Sequence, residues 1–441
     1  MCVKQTVGIV LWMALMGAPL AAQRPMTPSD YQPPPAPTAQ PAPQAPTAGD
    51  EARARYKAAK EKAKDPYNGK PLGPIGLMPL QLLYFASLGG PPAVAPTVND
   101  ELLFAAINTG VVGAWRVEDG ASVWSVPNLA VVQPLAIDGT RLYAVLDGEV
   151  TAIDIQTGKS LWRVPSGGKV SAAPVAKAGW LILGLETGEV HAVRGETGEL
   201  VWQLKLGATV KTKPVIVGDR LYVVPRNNQL VAIDLVSGRA LWNQELEGPV
   251  SGLAAQEQRV FIGTDRMFMG LDHAGHLKWK RHIGSGVIGD PSVDAENVYV
   301  AFSDNTLMAF GANKGELLWR APLTYRPTSG PIRARDTLLL TGSPLIIHGF
   351  DVKDGKPAPD YAMPGDPIRF LVGAPMFVRG RTFFQDTVIT MMAHGWIGTA
   401  RQIGPGTLSP FTDPGVVCPP LSLPGAEPSP TASAPSTPPK A

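Results

Sequence analysis

Residues 152–162 read Ala152-Ile153-Asp154-Ile155-Gln156-Thr157-Gly158-Lys159-Ser160-Leu161-Trp162. From Ile153 to Gln156 apolar and polar residues alternate, as in a half-buried strand. Thr157-Gly158 supplies a tight turn, since glycine takes the positive φ that a hairpin needs. Leu161-Trp162 opens a second strand with a large apolar load. The pattern recurs at residues 114–124, 192–202, 232–242 and 309–319, each starting at Ala and ending at Trp, with Gly four residues before the Trp. A sixth copy, residues 270–279, starts at Gly270 and is one residue shorter before its turn at Gly275.

The tryptophans Trp124, Trp162, Trp202, Trp242, Trp279 and Trp319 are therefore spaced close to 40 residues apart, each preceded by its glycine: Gly120, Gly158, Gly198, Gly238, Gly275 and Gly315. A second ladder runs beside the first: Pro96, Pro134, Pro174, Pro214, Pro291, Pro331 and Pro375, with Ala254 filling the gap. A fixed period of this length is the mark of a propeller or solenoid. Within one unit four strands are expected; in the second they fall at 131–136, 141–146, 150–155 and 160–164, with turns at Asp138-Gly139 and Asp147-Gly148. Four antiparallel strands per unit describe a propeller blade. The prolines then belong on the innermost, channel-facing edge strand, where a missing N–H costs no ladder bond. The tryptophans belong on the outer strand, each lying across the next blade where Ala and Gly leave the backbone approachable.

The expected fold is all-β: an eight-bladed propeller of four-stranded antiparallel blades over residues 78–402, with seven blades as the alternative count. Tyr84 stands 40 residues before Trp124, so residues 82–88 look like an outer strand with no blade before them. That N-terminal strand is expected to complete the last blade and close the ring. Tyr361 stands in for the tryptophan of the seventh unit, with Asp354-Gly355 as its turn.

Outside the repeat, residues 1–22 read as a secretory signal: Lys4, an apolar run, then Ala21-Ala22. The Pro-, Ala- and Thr-rich stretch 23–48 reads as a disordered linker, 49–66 as a short charged helix, and 403–441 as a second disordered tail. Removal of the signal would leave no membrane span, and the product is expected to be exported, periplasmic or envelope-associated. No cysteine follows the apolar run, so no lipid-anchor motif is read. Cys418 would be the sole cysteine of the mature chain, so no internal disulfide is expected. A net charge of +2 gives nucleic-acid binding no support.

The run Ala-x-Asp-x-x-Thr-Gly-Lys-x-x-Trp resembles the tryptophan-docking repeat of the pyrroloquinoline-quinone (PQQ)-like propellers, most closely at Ala152, Asp154, Thr157, Gly158, Lys159 and Trp162. The resemblance implies one of two kinds of protein. One is a quinoprotein dehydrogenase; the other is a non-enzymatic scaffold similar to the outer-membrane protein assembly factor BamB. A single exported ring is nearer to the second. It implies a monomeric propeller with protein partners, the outer-membrane assembly machinery among them. A sugar- or cell-wall-polymer binder is a third reading.

The chemistry-bearing residues favour no enzyme. A quinoprotein holds its quinone with calcium on carboxylate and amide oxygens. Here the assignable acids sit mostly in hairpin turns, where Asp is expected structurally, and no adjacent cysteine pair exists. PQQ and calcium are not expected, nor any metal: His273 and His276 straddle a turn with no third ligand. Residues 284–289 match the dinucleotide glycine pattern but lead into a strand rather than a helix. No catalytic residue is assigned. The channel-lining candidates are Lys211, Lys213, Asp290, Arg333 and Arg369.

Overall fold

Each unit of the repeat breaks into four short strands because its turns fall at residues able to take positive φ, such as Gly139, Gly148 and Gly158 in the second unit. The computed structural model describes residues 77–402 except 257, 343–345, 363–373 and 380–385. Eight four-stranded antiparallel sheets result. Seven follow chain order: blade 1 (97–126), blade 2 (136–165), blade 3 (175–205), blade 4 (215–245), blade 5 (250–282), blade 6 (287–322) and blade 7 (332–362). Blade 8 takes its three inner strands from residues 376–402 and its outer strand from Leu80–Ser87, at the other end of the described chain. The count is eight, not seven. The expected signal, linker, charged helix, tail and both cysteines lie outside the described residues.

The seal is a register of seven residue pairs, from Leu80 opposite Gln402 to Ser87 opposite Trp396, with one bulge between Leu82 and Tyr84. The hydrophobic core lies in the seams between blades. Phe104 and Leu102 of blade 1 pack with Leu142 and Ile153 of blade 2. Ile182 of blade 3 packs with Leu221 and Ile233 of blade 4. At the closure, Leu77, Met78 and Leu80 pack with Leu339 of blade 7 and Val388 of blade 8.

The prolines act differently from the expectation. Pro96, Pro174, Pro214, Pro331 and Pro375 stand immediately before their inner strands, which run only two or three residues. In blade 2 the inner strand is Ala136–Asp138, not 131–136, because no ladder donor exists at Pro134. Blade 5, with Ala254 in place of proline, has an inner strand of seven residues, Val250–Gln256. Pro291 lies inside its strand, at a break in the ladder between Ile288 and Ser292. In six blades the proline thus precedes a short inner strand, whereas in blade 6 it lies along a strand of seven residues.

Candidate functional site

Two sets of residues were singled out from the sequence: the blade-docking ladder and the channel candidates. In the docking ladder, the repeat alanine faces its tryptophan across the hairpin, Ala152 opposite Trp162 and Ala309 opposite Trp319. The ring then lies over the next blade's turn glycine. A Cβ on Gly158 would sit 2.8 Å from Trp124 Cδ2, and one on Gly238 2.6 Å from Trp202 Cδ2. Gly198, Gly275 and Gly315 meet Trp162, Trp242 and Trp279 in the same way, and Gly355 meets Trp319. Each indole Nε1 also donates to a carbonyl of that turn: Trp124 to Ile155 (2.8 Å), Trp162 to Gly195 (3.1 Å), Trp202 to Leu235 (2.8 Å), Trp242 to His273 (2.9 Å), Trp279 to Ala312 (3.0 Å) and Trp319 to Val352 (3.0 Å).

Tyr84 does the same work at the closure. Its hydroxyl donates to the Val117 carbonyl at 2.6 Å, and its ring fills the space in front of Gly120. Tyr361 departs from the expected substitution. It faces Ile347, two residues from Gly349, which holds the place of the docking alanine, and Met78 covers Gly349 instead. Its ring is still buried with Val388 and Ala400 of blade 8. Burial differs along the ladder: Trp279 is 6% exposed, and the other five tryptophans are partly buried.

The turns explain why the acids sit where they do. Asp154 Oδ1 accepts from the Thr157 hydroxyl (2.7 Å) and amide (2.8 Å). Asp234 does the same with Ser237, both bonds at 2.7 Å. The Thr157 and Ser237 donors hold both carboxyls below the usual aspartate range. Gly158 needs its freedom twice over, for a φ of 71° and for the indole above it. Gly158→Ala is expected to lose about 1–2 kcal/mol from the left-handed backbone alone, and more from the displaced Trp124; urea unfolding measures it.

Sequence reasoning missed an aromatic ladder on the second strands. Phe104, Tyr143, Tyr222, Phe261 and Tyr299 each lie beside their own blade's tryptophan, with ring centroids 5.9–6.1 Å apart. Such pairs add about 0.5–1.5 kcal/mol each. Their spacing from the tryptophan, 18 to 20 residues, was the available signal.

Of the channel candidates, the structure brings Lys213 and Asp290 within electrostatic reach, and Lys211 is exposed nearby on the same lead-in segment. The inner strands of blades 5, 6 and 7 come close here: a Cβ on Gly252 would sit 2.5 Å from the Gly289 carbonyl, and one on Gly330 would meet the Asp290 carbonyl. Asp290 Oδ1 accepts from the Leu253 amide at 3.2 Å. The Asp290 side chain is open to water, yet protein surrounds its carboxyl on most sides. That burial pushes its pKa up, against the Leu253 amide and Lys213, which pull it down. The folded state therefore disfavours the charged form. The penalty is absent below the ordinary aspartate pKa of about 4 and complete above the raised one. Asp290→Asn should raise the melting temperature at neutral pH, with the gain vanishing as pH falls toward that range. Arg333 stands apart from this pair, bridged to Asp294 at 2.9 Å. Arg369 lies outside the described residues.

Asp290 is flanked by glycine backbone and lies within electrostatic reach of Lys213. Among the described residues no three His, Cys, Asp or Glu side chains gather as they would around a metal ion. Nor, among the described residues, is any helix long and apolar enough to cross a membrane.

With the ring and its seams in view, comparison with known proteins is decisive for family. The model of the outer membrane protein assembly factor BamB matches residues 62–163, 146–253 and 236–393. The chain belongs to the BamB family. BamB of Escherichia coli strain K12 is 29% identical over 84 residues, 19% of this chain and 21% of that protein's length. BamB of Salmonella typhimurium is 27% identical over the same length. The chain thus matches about a fifth of these relatives. Among solved structures, BamB of Moraxella catarrhalis superposes with a TM-score of 0.60 at 15% identity, over 73% of this chain and 98% of that one. The quinohemoprotein alcohol dehydrogenase ADHIIG of Pseudomonas putida HK5 also superposes with a TM-score of 0.60, at 14% identity, over 77% of this chain and 79% of that one. At such identities the likeness is one of fold, shared by BamB and by quinoproteins.

Proposed function

We propose that this chain is an exported, non-enzymatic scaffold of the cell envelope that binds protein partners in outer-membrane protein assembly. The observation that carries the reading is the BamB family match across most of the ring. The local chemistry supports it. Repeat acids such as Asp154 and Asp234 are engaged in their own turns, and Asp290 is held among backbone groups of neighbouring blades. A rigid ring with eight sets of loops displays many contact points on each face. Outer strands are sheet edges with free backbone groups, and they carry exposed apolar side chains such as Leu161, Leu241 and Leu318.

Affinity capture on the purified chain from an envelope extract tests this reading. Recovery of outer-membrane assembly proteins is the expected result; recovery of glycan alone would replace it with polymer binding. The quinoprotein reading draws on the shared fold with the alcohol dehydrogenase. Incubation with PQQ and calcium, followed by dye-linked alcohol oxidation, separates the two. No dye reduction above background is expected, and clear reduction would overturn the non-enzymatic assignment.

A further inference from the structure

The first residue of each blade's second strand occupies an equivalent place, opposite the start of the outer hairpin turn. Arg141 faces Asp154, Arg220 faces Asp234 and Arg259 faces Asp272. In blades 4 and 5 this arginine is a strut to the next blade. The Arg220 guanidinium donates to the His273 carbonyl, and Arg259 donates to Asn313 Oδ1 at 2.8 Å. The His273 carbonyl serves two donors, since it also accepts from Trp242.

The place varies around the ring: blade 1 has Leu102, blade 3 Trp180 and blade 7 Thr337, and blade 6 has no arginine there either. In blade 6 the place is held by Asn297, opposite Gly311. Asn297 is too short to cross, and its amide turns back to the Tyr299 hydroxyl at 3.3 Å. A groove of about 410 Å³ remains between blade 6 and the outer turn of blade 7. Its inner end is the Arg333–Asp294 pair. Asp294 is fully used: Oδ1 takes the Glu296 and Asn297 amides, and Oδ2 takes Tyr299 and Arg333. Glu296 is exposed on the rim and makes no ion pair among the described residues. Val352, the counterpart of His273, accepts from Trp319, and its carbonyl has a second lone pair. Leu318 and Val352 give the groove apolar sides.

We infer that this groove receives an arginine side chain from a partner polypeptide, laid where blades 4 and 5 lay their own. The methylene stem covers Leu318 and Val352. The guanidinium serves the Glu296 carboxylate and the Val352 carbonyl together, which its planar fork of donors allows and a lysine ammonium matches less well. Lys353 stands where the preceding turn has Asn313, the acceptor of the Arg259 strut, so its charge opposes the incoming one and tempers affinity.

The inference extends the partner-binding reading, but its test needs no natural partner. The full chain is titrated against the labelled peptide Ala-Ala-Arg-Ala-Ala and against the same peptide with citrulline, which keeps the shape and removes the charge. The arginine peptide should bind roughly tenfold tighter, the scale of a charge-assisted hydrogen bond. Asn297→Arg, which restores the strut and fills the groove, should abolish that preference without lowering the melting temperature. Glu296→Gln should weaken binding, and Lys353→Asn should tighten it. Equal affinity for the two peptides, no binding of either, or full affinity in Asn297→Arg would each overturn the inference. If Asn297→Arg melts below the parent, Glu296→Gln decides, and unchanged affinity there overturns it. Such a failure leaves the envelope reading standing, because capture of envelope proteins is measured separately.

Discussion

Deletion of residues 77–88 is expected to abolish the cooperative thermal transition of the ring. That segment is the outer strand of blade 8 and much of the core beneath it. Leu77, Met78, Leu80 and Leu88 are all buried, and burying four such side chains contributes together about 6–12 kcal/mol. A domain's whole net stability is about 5–15 kcal/mol. The deletion also uncovers the edge of Trp396–Gln402, whose seven ladder partners are lost. Far-UV circular dichroism on heating reads the outcome. Tyr84→Phe is the control for surgery at this site. It removes only the hydroxyl bonded to Val117, should cost about 1 kcal/mol, and should melt as cooperatively as the parent. A deletion variant that melts like the parent would mean the ring closes without this strand.

The second large effect is expected at Trp279. It is the most buried of the six docking indoles and is packed by three phenylalanines. Phe261, Phe268 and Phe310 have ring centroids 6.0, 5.4 and 6.5 Å away. Trp279→Ala should cost about 3–5 kcal/mol, the usual range for a buried tryptophan. The same change at Trp124 leaves a site that is already partly open to water and that has one aromatic neighbour, Phe104. Its cost should be about half as large. Denaturant unfolding of the two variants side by side measures the difference. Equal losses would show that the hydrogen bond to the next blade, common to both, outweighs the packing.

The period, the tryptophan and glycine pairs and the head-to-tail closure were legible because they rest on side chains with few substitutes, and the count of eight because the proline ladder keeps its spacing across Ala254. Only glycine fits beneath an indole at positive φ, and only a large ring bearing a donor, Trp or Tyr, fills the place above it. Tyr84 announced the closing strand by standing one period before Trp124. The second aromatic ladder was less visible because its residue type varies: blade 3 places Ile182 where its neighbours have Phe or Tyr. Blade 7 was misread at Tyr361 because Met78 arrives from far along the chain to cover Gly349. The spacing around Gly355 carries no trace of that. For the candidate site, a place on the first strand of a unit was the signal that named Lys213, Asp290 and Arg333 together, and it carries no information on the partner each side chain takes. Arg333 pairs with Asp294 of blade 6, a contact that first-strand position alone does not reveal. The blade 6 groove depends on Asn297 at a place where blades 4 and 5 have arginine and the other blades vary, so no motif marks it.

The central claim is that the chain's first described strand completes its last sheet. The most direct test replaces Gln81 and Arg401, which face each other in that ladder, by cysteine in a chain whose two native cysteines are changed to serine. Mild oxidation of the folded protein should link the two positions within one molecule, seen by mass spectrometry after proteolysis and as a mobility shift reversed by reductant. Free thiols at both positions after oxidation of a folded sample, or links only between separate molecules, would contradict the closed ring.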